Sequence, residues 1–119
     1  MTVGLNYRKE NRMERYMLTR CREAGFMYLK FTSPSRGAVP DRVVITPAGT
    51  FWVELKAPGG KPDKRQLETH ARMRRHGAQV FVIASRAEVE NFITAVENEV
   101  ALEPDTSSIP HQALKKRAS

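Results

Sequence analysis

An aspartate, a glutamate and a lysine stand where two short extended segments can bring them together. Asp41 lies in Val39-Pro40-Asp41-Arg42-Val43-Val44-Ile45, and Glu54 and Lys56 lie in Phe51-Trp52-Val53-Glu54-Leu55-Lys56. Both segments are rich in β-branched and aromatic residues, and Thr46-Pro47-Ala48-Gly49-Thr50 between them is turn chemistry, which predicts a hairpin. Alternation along the second strand puts Trp52, Glu54 and Lys56 on one face and Val53 and Leu55 on the other. Closed in its simplest register, the hairpin sets Asp41 close to Glu54. Two carboxylates so placed raise each other's pKa, and a divalent cation relieves the repulsion. One or two carboxylates, with positions left open for water and a phosphate oxygen, is how Mg²⁺ is usually held. Lys56 beside them can orient or activate an attacking water, or stabilise charge developing on the phosphate. The chemistry to which these residues point is metal-assisted phosphodiester hydrolysis.

The elements that must position them read as follows. From about Tyr7 to Ala24 the residues Met13, Met17, Leu18, Cys21 and Ala24 recur at helical spacing, and Gly25 is placed to end the helix. The preceding residues 1–5 show no strong periodicity and are expected to be loosely ordered. Glu14 falls on or beside the apolar stripe and needs a partner, either an ion pair with Arg15 or Arg20 or water at the stripe's margin. Phe26 to Phe31 reads as a strand, with Met27, Leu29 and Phe31 on one face and Tyr28 and Lys30 on the other. A loop, Thr32 to Gly37, leads to Asp41; Ser33, Ser35 and above all Arg36, just upstream of the carboxylate, are candidates for phosphate contact.

Beyond Lys56, Ala57 to Pro62 reads as a flexible basic connection. Asp63 and Gln66 can form a capping box for a helix from about Asp63 to His76, ended by Gly77. Arg65, Arg72, Arg74 and Arg75 make that helix the most basic element, either a solvated face or a phosphate-binding wall. His70 and His76 lack the spacing of paired helical metal ligands, so surface or DNA-facing roles are expected of them. Gln79 to Ala84 is nearly all apolar, as for a strand buried on both faces. Ser85-Arg86-Ala87-Glu88 is a capping box opening a last helix with Val89, Phe92, Ile93, Val96 and Val100 as its stripe. The order αβββαβα predicts an α/β fold, a mixed central sheet flanked by helices, in a single domain over residues 1–102 with a tail at 103–119.

The chain has 119 residues, a net charge of +7 and a pI near 10, which suggests a polyanionic partner. Residues 1–30 carry seven basic and three acidic side chains and residues 61–86 seven and two, whereas in 87–119 acids lead six to three. The two basic stretches flank the proposed site. One cysteine, Cys21, excludes an internal disulfide and a cysteine-based zinc cluster. No apolar run approaches bilayer-spanning length and no signal-peptide core opens the chain, so no membrane role and a cytoplasmic location are expected.

Pro40-Asp41 with Glu54-Leu55-Lys56 resembles the signature of the PD-(D/E)XK nuclease superfamily. Gly37-Ala38-Val39-Pro40-Asp41 with Trp52-Val53-Glu54-Leu55-Lys56-Ala57 is similar to its VRR-NUC branch, over about residues 7–100. The resemblance implies a restriction-endonuclease-like core and a Mg²⁺- or Mn²⁺-dependent DNA endonuclease. It assigns metal binding to Asp41, Glu54, the backbone carbonyl of Leu55 and an acid of the first helix, Glu14, with Glu10 as the fallback. It gives Lys56 the attacking water, and it has Gln66 reach toward the active centre, although Gln66 as a mere cap is equally open. Family members often show Ser-Pro before that glutamine, where this chain has Lys61-Pro62-Asp63-Lys64-Arg65, so the helix start is unsettled. Arg36, Lys61, Lys64 and Arg65 are the candidate DNA contacts. Small stand-alone members resemble Holliday-junction-resolving enzymes, which implies a homodimer acting on branched DNA, of phage type and working in the host cytoplasm. Two other classes stay open: a nucleic-acid-binding module that keeps the fold without catalysis, and a small basic RNA-associated protein whose carboxylates are structural.

Overall fold

Thr46 and Gly49 close the central hairpin with only Pro47 and Ala48 between them. Thr46 Oγ1 accepts from the Ala48 amide and donates to the Gly49 carbonyl, which fixes the turn. The computed structural model describes residues 2–33 and 37–102, with side chains described for 11–33 and 37–101. Its elements are α1 (Thr2–Glu23), β1 (Met27–Lys30), β2 (Arg42–Thr46), β3 (Gly49–Leu55), α2 (Lys64–Arg75), β4 (Gln79–Ile83) and α3 (Arg86–Leu102), the expected αβββαβα order. The sheet runs β1-β2-β3-β4; the first three strands are an antiparallel meander, and β4 joins β3 in parallel after the α2 crossover.

α1 begins at Thr2 rather than near Tyr7, and residues 2–5, expected to be loosely ordered, are helical. Once a helix is nucleated each further residue adds a hydrogen bond at small entropic cost, so weak periodicity does not stop it. α1 and α3 lie together on one face of the sheet. Met13, Met17 and Cys21 of α1, Val89, Phe92, Ile93 and Val96 of α3, and Val44, Phe51, Val53 and Ile83 of the strands form the core between them. Burying each large side chain of this set contributes about 1.5–3 kcal/mol. At the solvent edge Glu90 ties the helices together: it accepts from Arg20 Nε at 2.7 Å and from the Tyr16 hydroxyl, while Arg86 stacks over the Tyr16 ring.

The opposite face is covered by α2 only over β3 and β4. There Trp52, Glu54, Val80 and Val82 meet the helix, and His70 is fully buried. The expectation of a surface or DNA-facing His70 is therefore overturned; His76 caps the end of α2 and is exposed. β4 is the edge strand of the sheet, and it meets the expectation of burial on both faces only in part: Val80 and Ile83 are buried on opposite faces, while Gln79 and Phe81 reach solvent. Its apolar run serves two faces: Val80 lies under α2, and Ile83 lies in the core on the other side, where Phe81 stands edge-on to Phe92 at 5.3 Å. Beyond α2, Met27, Leu29, Phe31 and Ile45 stay open on the same face. Among the described residues no helix is long and apolar enough to cross a membrane.

Candidate active site

Asp41 sits just before β2, where Pro40 is fully buried and the Asp41 carbonyl accepts from the Phe31 amide at 2.8 Å and from Arg42 Nη1 at 3.0 Å. Arg42 pairs with Val53, so the next step of the register puts Asp41 opposite Glu54. The hairpin thus brings the two carboxylates to neighbouring cross-strand positions, as alternation required. Their environments differ. The Asp41 side chain is half-exposed, with Oδ2 3.0 Å from Arg42 Nη1, whereas Glu54 is buried, with Oε2 3.6 Å from Lys56 Nζ and Oε1 3.6 Å from His70 Nε2. Desolvation raises the Glu54 pKa above its usual range; Lys56 opposes this and the charge of Asp41 adds to it.

Lys56 follows β3 directly, its amide donating to the Ile83 carbonyl at 2.9 Å. The connection behind it is not flexible as expected. Gly59 N–H donates to the Ala84 carbonyl and Gly60 N–H to the Ala57 carbonyl, folding the backbone tightly against Lys56. A Cβ at Gly60 would lie 3.0 Å from the Ala57 oxygen and 3.2 Å from the Lys56 Cβ, so glycine is required by close approach.

Gln66 combines both readings that the sequence left open. Its amide N–H donates to Asp63 Oδ1 at 2.8 Å, and its Oε1 accepts from the Asp63 amide at 2.9 Å, a complete capping box. The same Oε1 accepts from Lys56 Nζ at 3.0 Å. One side chain therefore starts the helix and holds the lysine. At α3 the expected box is varied: Ser85 Oγ accepts from the Glu88 amide, but Glu88 returns to the amide of Ala84.

Glu14 reaches the site from α1, and its partners are neither Arg15 nor Arg20. It accepts from Arg42 Nε at 2.8 Å and from the Tyr28 hydroxyl at 2.7 Å, with Lys30 Nζ 3.7 Å away. Burial and the Glu14 carboxylate push the Tyr28 phenol up, so it stays a proton donor. Glu14, Asp41, Leu55 and Lys56 share the lining of one cleft of about 270 Å³ with Asn11, Lys30 and Arg42. Glu54 lies behind that lining. Lys61, Lys64 and Arg65 are exposed near the start of α2, and the Arg65 guanidinium lies against Gly37. Arg36 and the tail at 103–119 lie outside the described residues, as does the side chain of Glu10.

Sequence reasoning missed Asn11, Tyr28, Lys30, Arg42 and His70 as site residues. Alternation already put Tyr28 and Lys30 on one face, and pairing adds Arg42 to it through Lys30↔Arg42. The available signal for His70 is its i, i+4 spacing from Gln66, which puts both side chains on one face of α2.

Among the described residues no three His, Cys, Asp or Glu side chains form a ready metal cage. A carboxylate lining the cleft, Asp41, with a second, Glu54, across the hairpin just behind it, pushed up by burial and further by the charge of Asp41, still fits Mg²⁺, which keeps several waters and takes one or two protein carboxylates. With Lys30, Arg42 and Lys56 around them, the cleft can receive a phosphate and hold a water next to it.

No family model matches the chain. "Putative nuclease p44" of Acyrthosiphon pisum secondary endosymbiont phage 1 is 43% identical over 79 residues, which cover 66% of this chain and 85% of that protein. A solved structure described as a VRR-NUC domain superposes with a TM-score of 0.67 at 38% identity, covering 72% of this chain and 95% of its own. With the restriction-endonuclease-like mixed sheet, the carboxylate pair and the following lysine already in view, these likenesses lead to one conclusion: the chain belongs to the VRR-NUC family of nucleases.

Proposed function

We propose that this chain is a single-domain, Mg²⁺- or Mn²⁺-dependent DNA endonuclease, selective for branched DNA such as four-way junctions and working as a homodimer. The observation that carries the reading is the meeting of Asp41 and Glu54 across the hairpin, with Lys56 Nζ 3.6 Å from Glu54, beside a cleft walled by Lys30 and Arg42. Asp41, Glu54 and the Leu55 carbonyl are the cation's donors in this reading. Glu14 is the helical acid, and it joins them only by exchanging its bonds to Arg42 and Tyr28. A bound divalent cation supplies charge neutralisation at the scissile phosphate and acidifies a water. Lys56, steadied by Gln66, donates to that water or to a phosphate oxygen. Arg42 and Lys30 take the phosphate's remaining charge, and Arg36, Lys61, Lys64 and Arg65 extend the contact along the strand.

Branch selectivity follows from pairing two chains. One cleft serves one phosphate, and symmetric cuts in two strands need two clefts at a fixed separation. The open apolar strip of Met27, Leu29, Phe31 and Ile45 supports self-association, because a strip of this kind gains by being covered. The relative described as a phage nuclease supports the reaction class and a working place in the host cytoplasm.

The test is cleavage of end-labelled four-way junctions, flaps, forks and plain duplex, with Mg²⁺, Mn²⁺ or chelator. Paired cuts on the junction are expected with either cation, from a species of twice 13.5 kDa by light scattering. Asp41→Ala and Lys56→Ala are expected to abolish the cuts and keep DNA binding. Cutting that survives both substitutions, or no cutting of any DNA with either cation, refutes the reading.

A further inference from the structure

Helix α2 and strand β3 meet at the site with matched spacings. Gln66 and His70 are one helical turn apart, a rise of about 6 Å. Glu54 and Lys56 are two strand residues apart, about 6.6 Å. The helix runs against the strand, so the pairs face each other in order: Gln66 Oε1 meets Lys56 Nζ at 3.0 Å, and His70 Nε2 meets Glu54 Oε1 at 3.6 Å. The first contact is a hydrogen bond. The second stops just beyond hydrogen-bonding reach.

His70 is also anomalous as a core residue. It has no exposed surface, and neither Nδ1 nor Nε2 has a hydrogen-bond partner among the described residues. A buried polar group left unpaired costs about 1–3 kcal/mol, which an apolar side chain of similar size would avoid. Burial, with Arg74 and Lys56 nearby, keeps the ring neutral, so one nitrogen carries a proton with few places to put it. The acceptor facing Nε2 is Glu54 Oε1.

We propose that His70 is a positioning residue for Glu54: its Nε2–H donates to Oε1 as the site closes on its ligands, turning Oε2 toward Lys56 and the cleft. Catalytic hydrogen bonds that are long in a free enzyme commonly tighten in the working complex. The pair Gln66 and His70 then orients the pair Lys56 and Glu54 from one rigid helix. This inference rests on the cation-dependent nuclease reading above, and adds to it the group that aims the buried carboxylate.

The experiment compares His70→Gln with His70→Met in the full chain. The two side chains have the same length, but only glutamine keeps an N–H donor near the position of Nε2. Calorimetric titration with Mn²⁺ in the absence of DNA is the main readout, with kcat and KM on a cleavable DNA beside it. Removing a partner that orients a metal ligand typically weakens binding about 10–100-fold. His70→Met is expected to lose Mn²⁺ affinity by that factor and to lower kcat with KM unchanged, while its Tm in chelator matches or exceeds that of wild type. His70→Gln is expected to recover most of the affinity. In the wild-type chain, where no variant need fold, the Nε2–H proton resonance of His70 is expected to move on Mg²⁺ addition. Equal Mn²⁺ affinity in wild type and His70→Met, a His70→Gln no better than His70→Met, or an unmoved resonance overturns the proposal. A wild type that binds no Mn²⁺ refutes the cation-dependent reading itself, which separates the two failures.

Discussion

Replacing Glu54 by glutamine sets the stability of the fold against the use of the site. Glu54 is 6% exposed, and its pKa stands above the ordinary 4.5, chiefly through desolvation. A carboxyl whose folded pKa exceeds its unfolded one favours the fold fully only below the unfolded value, and that contribution is lost as pH rises through the folded pKa. At pH 7 the ionised Glu54 therefore weighs against folding, and glutamine, its neutral isostere, removes the burden. Relieving strain of this kind at a working site adds about 0.5–2 kcal/mol, or about 2–10 °C in Tm for a chain of this size.

A divalent cation reverses the order. At 100 times its Kd it stabilises the wild type by about 2.7 kcal/mol, because it binds the folded chain and not the unfolded one. The glutamine variant, short of one anionic donor, gains little. The assay is calorimetric melting of both proteins at pH 7, in chelator and in Mg²⁺ or Mn²⁺. Glu54→Gln is expected to melt higher in chelator and lower with cation, and the chelator gap is expected to shrink as pH falls toward 4.5. A Glu54→Gln protein that melts below wild type in chelator at pH 7 would refute the reasoning, since the contacts to Lys56 and His70 would then outweigh desolvation.

Three further outcomes are expected. Asp63→Ala and Gln66→Ala both open the capping box and should each cost about 0.5–2 kcal/mol in urea melts. Only Gln66→Ala also frees Lys56 Nζ, so its cleavage rate should fall about 10–100-fold below that of Asp63→Ala, and equal rates would show that Gln66 is a cap alone. Gly60→Ala presses on the Ala57 carbonyl and the Lys56 Cβ; it should destabilise by about 1–3 kcal/mol, read by thermal melting, and lower kcat with KM for DNA unchanged. Glu90, held by Arg20 and Tyr16, has its pKa lowered to about 2. Its contribution is present above the ordinary 4.5 and lost as pH falls from there toward 2, so the advantage of wild type over Glu90→Gln in urea melts should be flat above 4.5 and vanish below.

The parts of this site that were legible in the sequence are those fixed by local spacing. A two-residue alternation and a turn set the hairpin's register, and with it the neighbourhood of Asp41 and Glu54. The Asp63-x-x-Gln66 spacing announced the helix start, although only packing could show that Gln66 Oε1 also takes Lys56. What stayed hidden depends on how an element is turned against its neighbours. α2 carries so many arginines that its periodicity does not say which stripe faces the sheet, and His70 read as a surface residue although it is the most buried one of the helix.

The same limit explains β1, and there the outcome bears on assembly. Alternation separates Met27, Leu29 and Phe31 from Tyr28 and Lys30, and the rule that apolar faces turn inward would send the first set to the core. The fold does the reverse: Tyr28 turns to α1, where its hydroxyl meets Glu14, and Met27 is left 56% exposed. Glu14, partly buried and charged, needs the hydrogen-bond donor more than the core needs another apolar side chain, since an unpaired buried charge costs more than an exposed methionine loses. Turning Tyr28 and Arg42 to Glu14 thus forces the apolar side of β1 outward, next to Ile45 of β2. The open strip is then a consequence of building the site, and a second copy of the chain laid over it would recover the burial that β1 gave up.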